Sequence, residues 1–275
     1  MTKEIMQFTK TELENELNTI KDWLDFDDEF KNNFINQLSG LGFTSPIKED
    51  VFNAFKLFKP KETKVLIIGQ DPYPEIKKAC GLAFLHNTEE YNKVDDTLKN
   101  ILSAVDSSKT SQSSIIYNKT DFKIDFKKWA SDNKVLLLNT SLTYRMHPDK
   151  GKPYKSKEHE NKRKLETKFL KVAHQALWKP FIKSVISNLV KTTSSLVVFL
   201  WGEDAKNTFL DCVNGKAIES KILILSTSHP TNTGNAKGLG FLNDAPRHFK
   251  LCNEFLKNNN EKEIYWKDLR KIYQG

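Results

Sequence analysis

Four short runs of apolar residues divide the chain, at 65–68, 135–138, 196–200 and 222–225. Each run is continuous and rich in branched side chains, without the alternation of apolar and polar positions that a half-exposed strand shows. Such runs are typical of strands that are buried on both faces of a parallel sheet. The pattern therefore predicts four buried parallel strands.

Helical spacing of apolar residues fills the stretches between these runs. Residues 97–105 and 178–190 each place apolar side chains at intervals of three and four, which predicts a helix with one buried stripe. Strands that alternate with helices indicate an α/β fold. We expect a central, mostly parallel four-stranded sheet flanked by helices.

Two further segments complete the predicted organisation of a single domain over residues 1–275. Residues 1–45 repeat aromatic and leucine positions near helical spacing, which predicts a helical N-terminal cap. Residues 146–171 form a basic insertion, nearly free of apolar residues, with nine Lys and Arg against four acidic residues. This composition predicts a solvated loop that runs into a surface helix. The insertion either contacts DNA phosphates or an acidic partner, or has no binding role.

Polar residues accompanied by Gly or Pro follow each apolar run. These clusters occupy residues 69–74, 139–141, 201–202 and 226–230. The carboxyl ends of parallel strands meet at one edge of a sheet, where α/β folds bind ligands. Asp71, Asn139 and His229 are therefore expected to meet there, although the clusters are also consistent with simple turns.

Charge and cysteine content narrow the class of protein. The 275 residues carry a formal charge of +8, which suits a polyanionic partner but also follows from a lysine-rich composition. The three cysteines are far apart and the six histidines are scattered, which argues against a disulfide framework and against a bound metal. Because there is no signal pattern and no run of about 18 apolar residues, we expect a cytoplasmic protein with no membrane association.

Five motifs resemble those of the family-1 uracil-DNA glycosylases, in that family's order, over roughly residues 48–266. They are Gly69-Gln70-Asp71-Pro72-Tyr73, residues 81–84, residues 136–143, residues 199–202 and His229-Pro230. In the family these correspond to the water-activating motif, the base-stacking motif, the strand with the uracil-reading asparagine, and the last two strand ends.

The resemblance implies a role for each residue that recognises the base. The target nucleotide must leave the duplex stack to be reached, and Phe84 would stack on the extruded base. Asn139 would read the uracil edge, because one carboxamide offers both a donor and an acceptor. Tyr73 would exclude the methyl group of thymine, and the backbone of Gln70 would help to hold the base.

The resemblance also implies how the bond is cleaved. Asp71 would stabilise positive charge on the sugar and orient the attacking water. His229 would donate a hydrogen bond to the uracil oxygen as it becomes anionic. These roles require no cofactor and no metal.

The resemblance is weakest in the loops that grip DNA phosphates. The positions that it assigns to DNA contact are Thr97, Gly202, Thr231, Thr233 and Lys237. Thr233 stands where the family has a leucine that wedges into the duplex, and an acidic residue follows Gly202 where the family has serine. We therefore expect an altered DNA grip beside an intact catalytic centre.

The function implied is a monofunctional DNA glycosylase that releases uracil from a flipped-out deoxyuridine and leaves an abasic site. Two alternatives stay open: a glycosylase for another modified base, and a DNA-binding or replication-partner protein with secondary excision activity. The implied partner is uracil-containing DNA, single- or double-stranded. A proteinaceous inhibitor or a replication partner is also compatible, and we expect a monomer.

Overall fold

The computed structural model describes residues 8–40, 42, 45–88, 93–108, 125–145, 155–214, 221–233 and 240–266. The strands are β1 (Val65–Gly69), β2 (Val135–Asn139), β3 (Ser195–Trp201) and β4 (Lys221–Thr227). The α-helices are α1 (Lys10–Thr19), α2 (Asp28–Leu38), α3 (Asp96–Ser107), α4 (Phe126–Asn133), α5 (Lys157–Thr192), α6 (Glu203–Val213) and α7 (Phe241–Asn258). Short 3-10 helices cover Lys21–Trp23, Lys48–Asp50, Asn53–Phe55 and Pro60–Glu62.

The four strands form one parallel sheet in the order β2-β1-β3-β4. In register, Val65 of β1 lies opposite Val135 on one side and Val197 on the other. Because every strand points the same way, all four carboxyl ends lie at one edge. The predicted α/β fold with a four-stranded parallel sheet is confirmed.

Apolar side chains on the two faces of the sheet belong to two separate cores. In β1, Leu66 and Ile68 join a core with α1, α2, α5 and α6, whereas Val65 and Ile67 join a core with α3, α4 and α7. Successive side chains of a strand point to opposite faces, so a strand between two helical layers must be apolar at every position. This explains the continuous runs.

The fourth strand departs from the prediction of burial on both faces. Leu225 is 8% exposed, but Ile224 is 45% exposed. Among the described residues, Leu225 joins the core with α3, α4 and α7, whereas Ile224 points to the other face and joins neither core. The strand is therefore covered on one face only at this position, although β2 at the other edge of the sheet is buried throughout.

The described part of the basic insertion is helical almost throughout. The side chain of Ser156 accepts a hydrogen bond from the backbone N–H of His159, and α5 then runs for 36 residues through Pro180. The segment 157–171 is therefore continuous with the helix predicted at 178–190. Of the described residues in the insertion, 155 and 156 are not helical. Residues 146–154, where the loop is predicted, lie outside the described residues.

The N-terminal helices pack against the second half of α5, around Trp178 and Phe181. The ring of Phe34 in α2 lies 5.4 Å from Trp178 and 5.3 Å from Phe181, measured between centroids. The indole of Trp23 donates a hydrogen bond to the carbonyl of Phe55 at 2.9 Å. Helices predicted within 1–45 are thus present over the described residues. No helix in the described ranges is long and apolar enough to cross a membrane.

Candidate active site

Asp71, Asn139 and His229 come together at the carboxyl edge of the sheet, as their positions after the strands predict. Asp71 lies two residues beyond β1, Asn139 is the last residue of β2, and His229 lies two residues beyond β4. All three line one cavity of about 210 Å³.

Every residue assigned to catalysis or base recognition lines this cavity. The assigned residues in its wall are Gln70, Asp71, Tyr73, Phe84, Asn139 and His229. Thr97, assigned to DNA contact, lies there as well. Residues up to 159 positions apart thus form one concave site, and the cavity is open to solvent rather than sealed.

Close backbone approach fixes Asn139 at the base of the cavity. Gly69 lies opposite Asn139 in the β1–β2 register. A β-carbon on Gly69 would stand 2.5 Å from the Asn139 Oδ1 and 2.8 Å from the Ala83 Cβ. The Asn139 side chain is buried, at 5% exposure, so it occupies the space that only a glycine leaves free.

Phe84 holds an unusual backbone conformation beside the cavity. Its φ is 64°, a left-handed value that a bulky residue rarely adopts and that tends to occur at functional sites. Its ring lies 5.7 Å from Trp201 and 6.0 Å from His229. The ring is half-buried, which leaves part of it facing the cavity.

A polar network behind the cavity fixes Tyr73. The hydroxyl of Tyr73 donates to the carbonyl of Phe84 at 3.3 Å, and its ring packs edge-on against His86 at 4.4 Å. The Nε2 atom of His86 lies 3.3 Å from Asp95, and the Asp95 carboxylate accepts a hydrogen bond from the backbone N–H of Leu98 at the start of α3. Burial, followed by the Asp95 carboxylate, raises the pKa of Tyr73, so the phenol stays neutral.

The hydrogen bonds of His229 determine which of its ring nitrogens carries the proton. The backbone N–H of Thr231 donates to Nδ1 at 3.2 Å, so Nδ1 is the acceptor. Burial lowers the pKa of His229, and Asp204 opposes this shift. The ring is therefore neutral at pH 7, with its proton on Nε2, and can donate one hydrogen bond from that atom.

Asp71 is a largely buried carboxylate beside a lysine. Its side chain is 15% exposed, and the Lys171 Nζ lies 3.0 Å from its Oδ2. Burial raises the pKa of Asp71; the Lys171 ammonium opposes this rise, and Asp204 adds to it.

The side chain of Gln70 links Lys171 to Asp204. The ammonium of Lys171 donates to Gln70 Oε1 at 3.1 Å, and Gln70 Nε2 donates to Asp204 Oδ2. Asp204 belongs to the first turn of α6. The resemblance implies a role for the backbone of Gln70, and the structure gives its side chain a separate one.

The residues assigned to DNA contact do not all lie at the site. Gly202 and Thr231 line an adjoining cavity of about 370 Å³ that shares Phe84 and His229 with the first. Thr233 is exposed and lines neither cavity. Lys237 lies outside the described residues.

Sequence reasoning missed Lys171 and Asp204 as neighbours of the site. Lys171 is one of nine basic residues in its segment and nothing in its spacing distinguishes it. The acidic residue that directly follows Gly202 in the altered loop is Glu203, and Asp204 after it belongs to no motif. The network of His86 and Asp95 carried no motif either. Among the described residues, no group of three or more His, Cys, Asp or Glu is placed to hold a metal ion.

Comparison with known proteins agrees with this geometry. A family model described as the uracil DNA glycosylase superfamily matches residues 55–270, well over half of the chain. The chain belongs to this superfamily.

Bacterial members of the superfamily match over most of their own length. The uracil-DNA glycosylase of Campylobacter jejuni is 30% identical over 240 residues, which covers 87% of this chain and 86% of that protein. The uracil-DNA glycosylase of Lachnoclostridium phytofermentans is 29% identical over 253 residues, 89% of this chain and 95% of that protein.

Solved structures share the fold. The crystal structure of mimivirus uracil-DNA glycosylase aligns with a TM-score of 0.63 at 19% identity, over 95% of this chain and 90% of that one. The UNG structure from Nitratifractor salsuginis aligns with a TM-score of 0.52 at 18% identity, over 90% and 92%. A mimivirus UNG variant that was solved in complex with UGI aligns with a TM-score of 0.61 at 20% identity, over 97% and 91%.

Proposed function

We propose that this protein is a uracil-DNA glycosylase of the family-1 type. It hydrolyses the N-glycosidic bond of a flipped-out deoxyuridine, releases uracil and leaves an abasic site in DNA. The observation that carries the proposal is the single cavity whose wall contains Asp71, Tyr73, Phe84, Asn139 and His229. Membership of the superfamily and the relatives' names support it.

Base recognition follows from groups that are already fixed in place. The Asn139 carboxamide offers a donor and an acceptor from a buried position, which matches the edge of uracil and not that of cytosine. Phe84 presents a ring for stacking. Tyr73, held by Phe84 and His86, closes the side where the methyl group of thymine would lie.

Cleavage separates charge, and the cavity holds one group for each charge. The bond between C1′ and N1 breaks with its electron pair moving to uracil, which leaves a cationic sugar. The Asp71 carboxylate stabilises that cation and orients the water, while His229 donates from Nε2 to the anionic oxygen of uracil. The water's oxygen forms the new bond to C1′, and its proton ends on uracil.

A neutral His229 suits this task. A neutral ring has one N–H, and because its Nδ1 accepts from the backbone of Thr231, that donor is at Nε2. Fixed dipoles of this kind lower the barrier because they need no reorganisation during the reaction.

The partners follow from the substrate and from the charge of the chain. A formal charge of +8 favours DNA, and the presence of Thr97 in the cavity wall supports a contact beside the flipped nucleotide. A protein inhibitor is a further candidate partner, since a mimivirus relative was solved in complex with UGI. We also propose a monomer in the cytoplasm.

One assay tests the function and separates it from the alternatives. The protein is incubated with oligonucleotides, single- and double-stranded, that contain uracil, thymine or a modified base at one position. Uracil release with an alkali-labile site is expected for the uracil substrates alone. Excision of another base in preference to uracil would support a different glycosylase, and tight DNA binding without excision would support a binding protein.

A further inference from the structure

Lys171 approaches the catalytic centre from a part of the chain where no motif lies. It belongs to the basic first half of α5, one hundred residues beyond Asp71. Its ammonium lies 3.0 Å from Asp71 Oδ2. The same ammonium donates a hydrogen bond to Gln70 Oε1 at 3.1 Å. An ion pair with Asp71 and a hydrogen bond to Gln70 thus fix one cation beside two residues of the cavity wall.

Asp71 needs such a cation because of its surroundings. Its Oδ2 atom is buried and has no hydrogen bond of good geometry within the described residues, so the ion pair is what offsets its loss of solvent. Removing water from a carboxylate disfavours its ionised form. The side chain of Lys171 is 32% exposed, so its own charge stays partly solvated.

The other charged and titratable groups near Asp71 do not supply this cation. Asp204 of α6 is acidic and raises the pKa of Asp71. Tyr144, beyond β2, is a phenol whose own pKa is raised, first by burial and then by Asp71. His229, across the cavity, is neutral because burial lowers its pKa. Among these neighbours Lys171 alone carries positive charge.

Gln70 keeps this arrangement rigid. Its carboxamide accepts from Lys171 and donates to Asp204, so the amide cannot turn over without losing both bonds. The ammonium is therefore held between Asp71 and Gln70 by a chain that ends at the first turn of α6.

We propose that Lys171 is a positioning residue for the reaction, which holds the Asp71 carboxylate ionised and oriented in the cavity. The inference rests on the proposed function. Stabilising a cationic sugar requires the ionised form of Asp71, so Lys171 acts through Asp71 and extends the pH range of excision toward acid.

Three variants on the same helix test this role. Lys171→Met removes the charge and keeps the length of the side chain, and Lys171→Arg retains the charge. Lys183→Met makes the same charge change at an exposed position twelve residues further along α5. Single-turnover excision is measured at saturating enzyme from pH 4.5 to 9, so that a weaker affinity for DNA does not enter the rate.

We expect Lys171→Met to move the acid limb of the profile to higher pH, with a rate about tenfold below wild type at its acid end. The difference narrows as the pH rises and Asp71 ionises. Lys171→Arg and Lys183→Met should keep the wild-type midpoint. An unmoved midpoint in Lys171→Met, or an equal displacement in Lys171→Arg, would overturn the inference.

A second measurement does not depend on excision. The free energy of unfolding of wild type, Lys171→Met, Asp71→Asn and the double variant forms a cycle that isolates the coupling of the two side chains. We expect coupling at pH 7 that disappears at acidic pH, where Asp71 is protonated. Absence of coupling at pH 7 overturns the inference. If wild type shows this coupling and excises no uracil, the proposed function fails while the ion pair stands.

Discussion

The Asn139 Oδ1 lies 2.5 Å from the point that a β-carbon on Gly69 would occupy. The two residues are partners in the β1–β2 register, so neither can move away without disturbing the pairing of the two strands at their carboxyl ends. The position of the Asn139 carboxamide, which we propose reads the base, therefore depends on the absence of a side chain on the neighbouring strand.

Gly69→Ala is expected to damage base recognition directly. The added methyl group would displace the Asn139 carboxamide and also collide with the Ala83 Cβ at 2.8 Å. Losing one aligned polar group in an active site typically costs about 10²–10³ in rate, so excision should fall by at least that order. The rate is measured at saturating enzyme, with circular dichroism to check folding. A folded variant that keeps the wild-type rate would show that Asn139 is not held in this way.

Asn139 and Tyr73 should determine which base is cut. Asn139→Asp exchanges an amide donor for an acceptor, which should admit cytosine and greatly reduce activity on uracil. Tyr73→Ala should open space beside C5 and admit thymine. Oligonucleotides carrying each base in turn report the selectivity. If both folded variants keep the selectivity of the wild type, the assignment of the pocket is wrong.

Much of this site could be predicted from the sequence because its residues follow strands. A run such as 135–138, apolar at each position, specifies a strand between two helical layers, and the residue after it must lie at the carboxyl edge. Asn139 could be placed in this way, and so could Asp71 and His229.

Lys171 could not be placed, because the contact depends on where a long helix points. Residues 157–171 contain few apolar side chains, so their own pattern indicates only an exposed helix. Their direction is determined further along, where Trp178 and Phe181 are buried against α2. The exposure of Ile224 could not be predicted either, because a strand that is covered on one face can have the same apolar run as a strand that is covered on both.

Acid should destabilise the fold through His174. The Thr143 hydroxyl accepts a hydrogen bond from the Trp178 indole at 2.8 Å and is also hydrogen-bonded to His174 Nε2, so the ring is held in a buried network. Burial, and then Arg145, lowers the pKa of His174 from 6.5 to about 4. The unfolded chain thus takes up this proton more readily than the folded one.

His174 therefore contributes stability above pH 6.5 that is lost as the pH falls toward 4, by at most about 3 kcal/mol. Urea denaturation from pH 7.5 to 4 should show a falling free energy of unfolding, with a shallower fall in His174→Gln. His248, whose pKa burial also lowers to about 4, accounts for part of the fall that remains. Parallel curves for wild type and His174→Gln would contradict this assignment.

The exposed lysines at the start of α5 should contact DNA phosphates. The contact of Lys171 with Asp71 brings the first half of α5 to the edge of the active site. The second half, from Trp178 onward, packs against one face of the sheet. Replacing Lys157, Lys162 and Lys164 with Ser should weaken DNA binding for all sequences. The slope of log affinity against log salt should become shallower by up to about 3, because each lost phosphate contact removes about 0.9.

A matched set on the same helix controls for charge and for helix propensity. Lys179, Lys183 and Lys191 carry the same charge, and Lys191 is roughly 30 Å along the helix from Lys171. Their replacement with Ser should leave the salt slope unchanged. Equal slopes for the two triple variants would show that the start of α5 does not contact DNA.

Asp71→Asn should slow the chemical step without lowering the stability of the fold. Burial raises the pKa of Asp71, so its carboxyl favours the folded state at acidic pH, and this contribution is lost as the pH rises and the group ionises. Asp71→Asn should therefore be at least as stable as wild type at neutral pH. A slow Asp71→Asn enzyme can then be attributed to chemistry rather than to unfolding.

The most direct test is single-turnover excision of uracil from one labelled oligonucleotide. Wild type and Asp71→Asn are each used at a concentration that saturates this DNA. Wild type should release uracil and leave an alkali-labile site. Asp71→Asn should bind the same DNA with nearly unchanged affinity and react at least about 10²–10³-fold more slowly, because it lacks the charge that stabilises the cationic sugar. A wild-type protein that releases no uracil, or an Asp71→Asn variant as fast as wild type, would contradict the account.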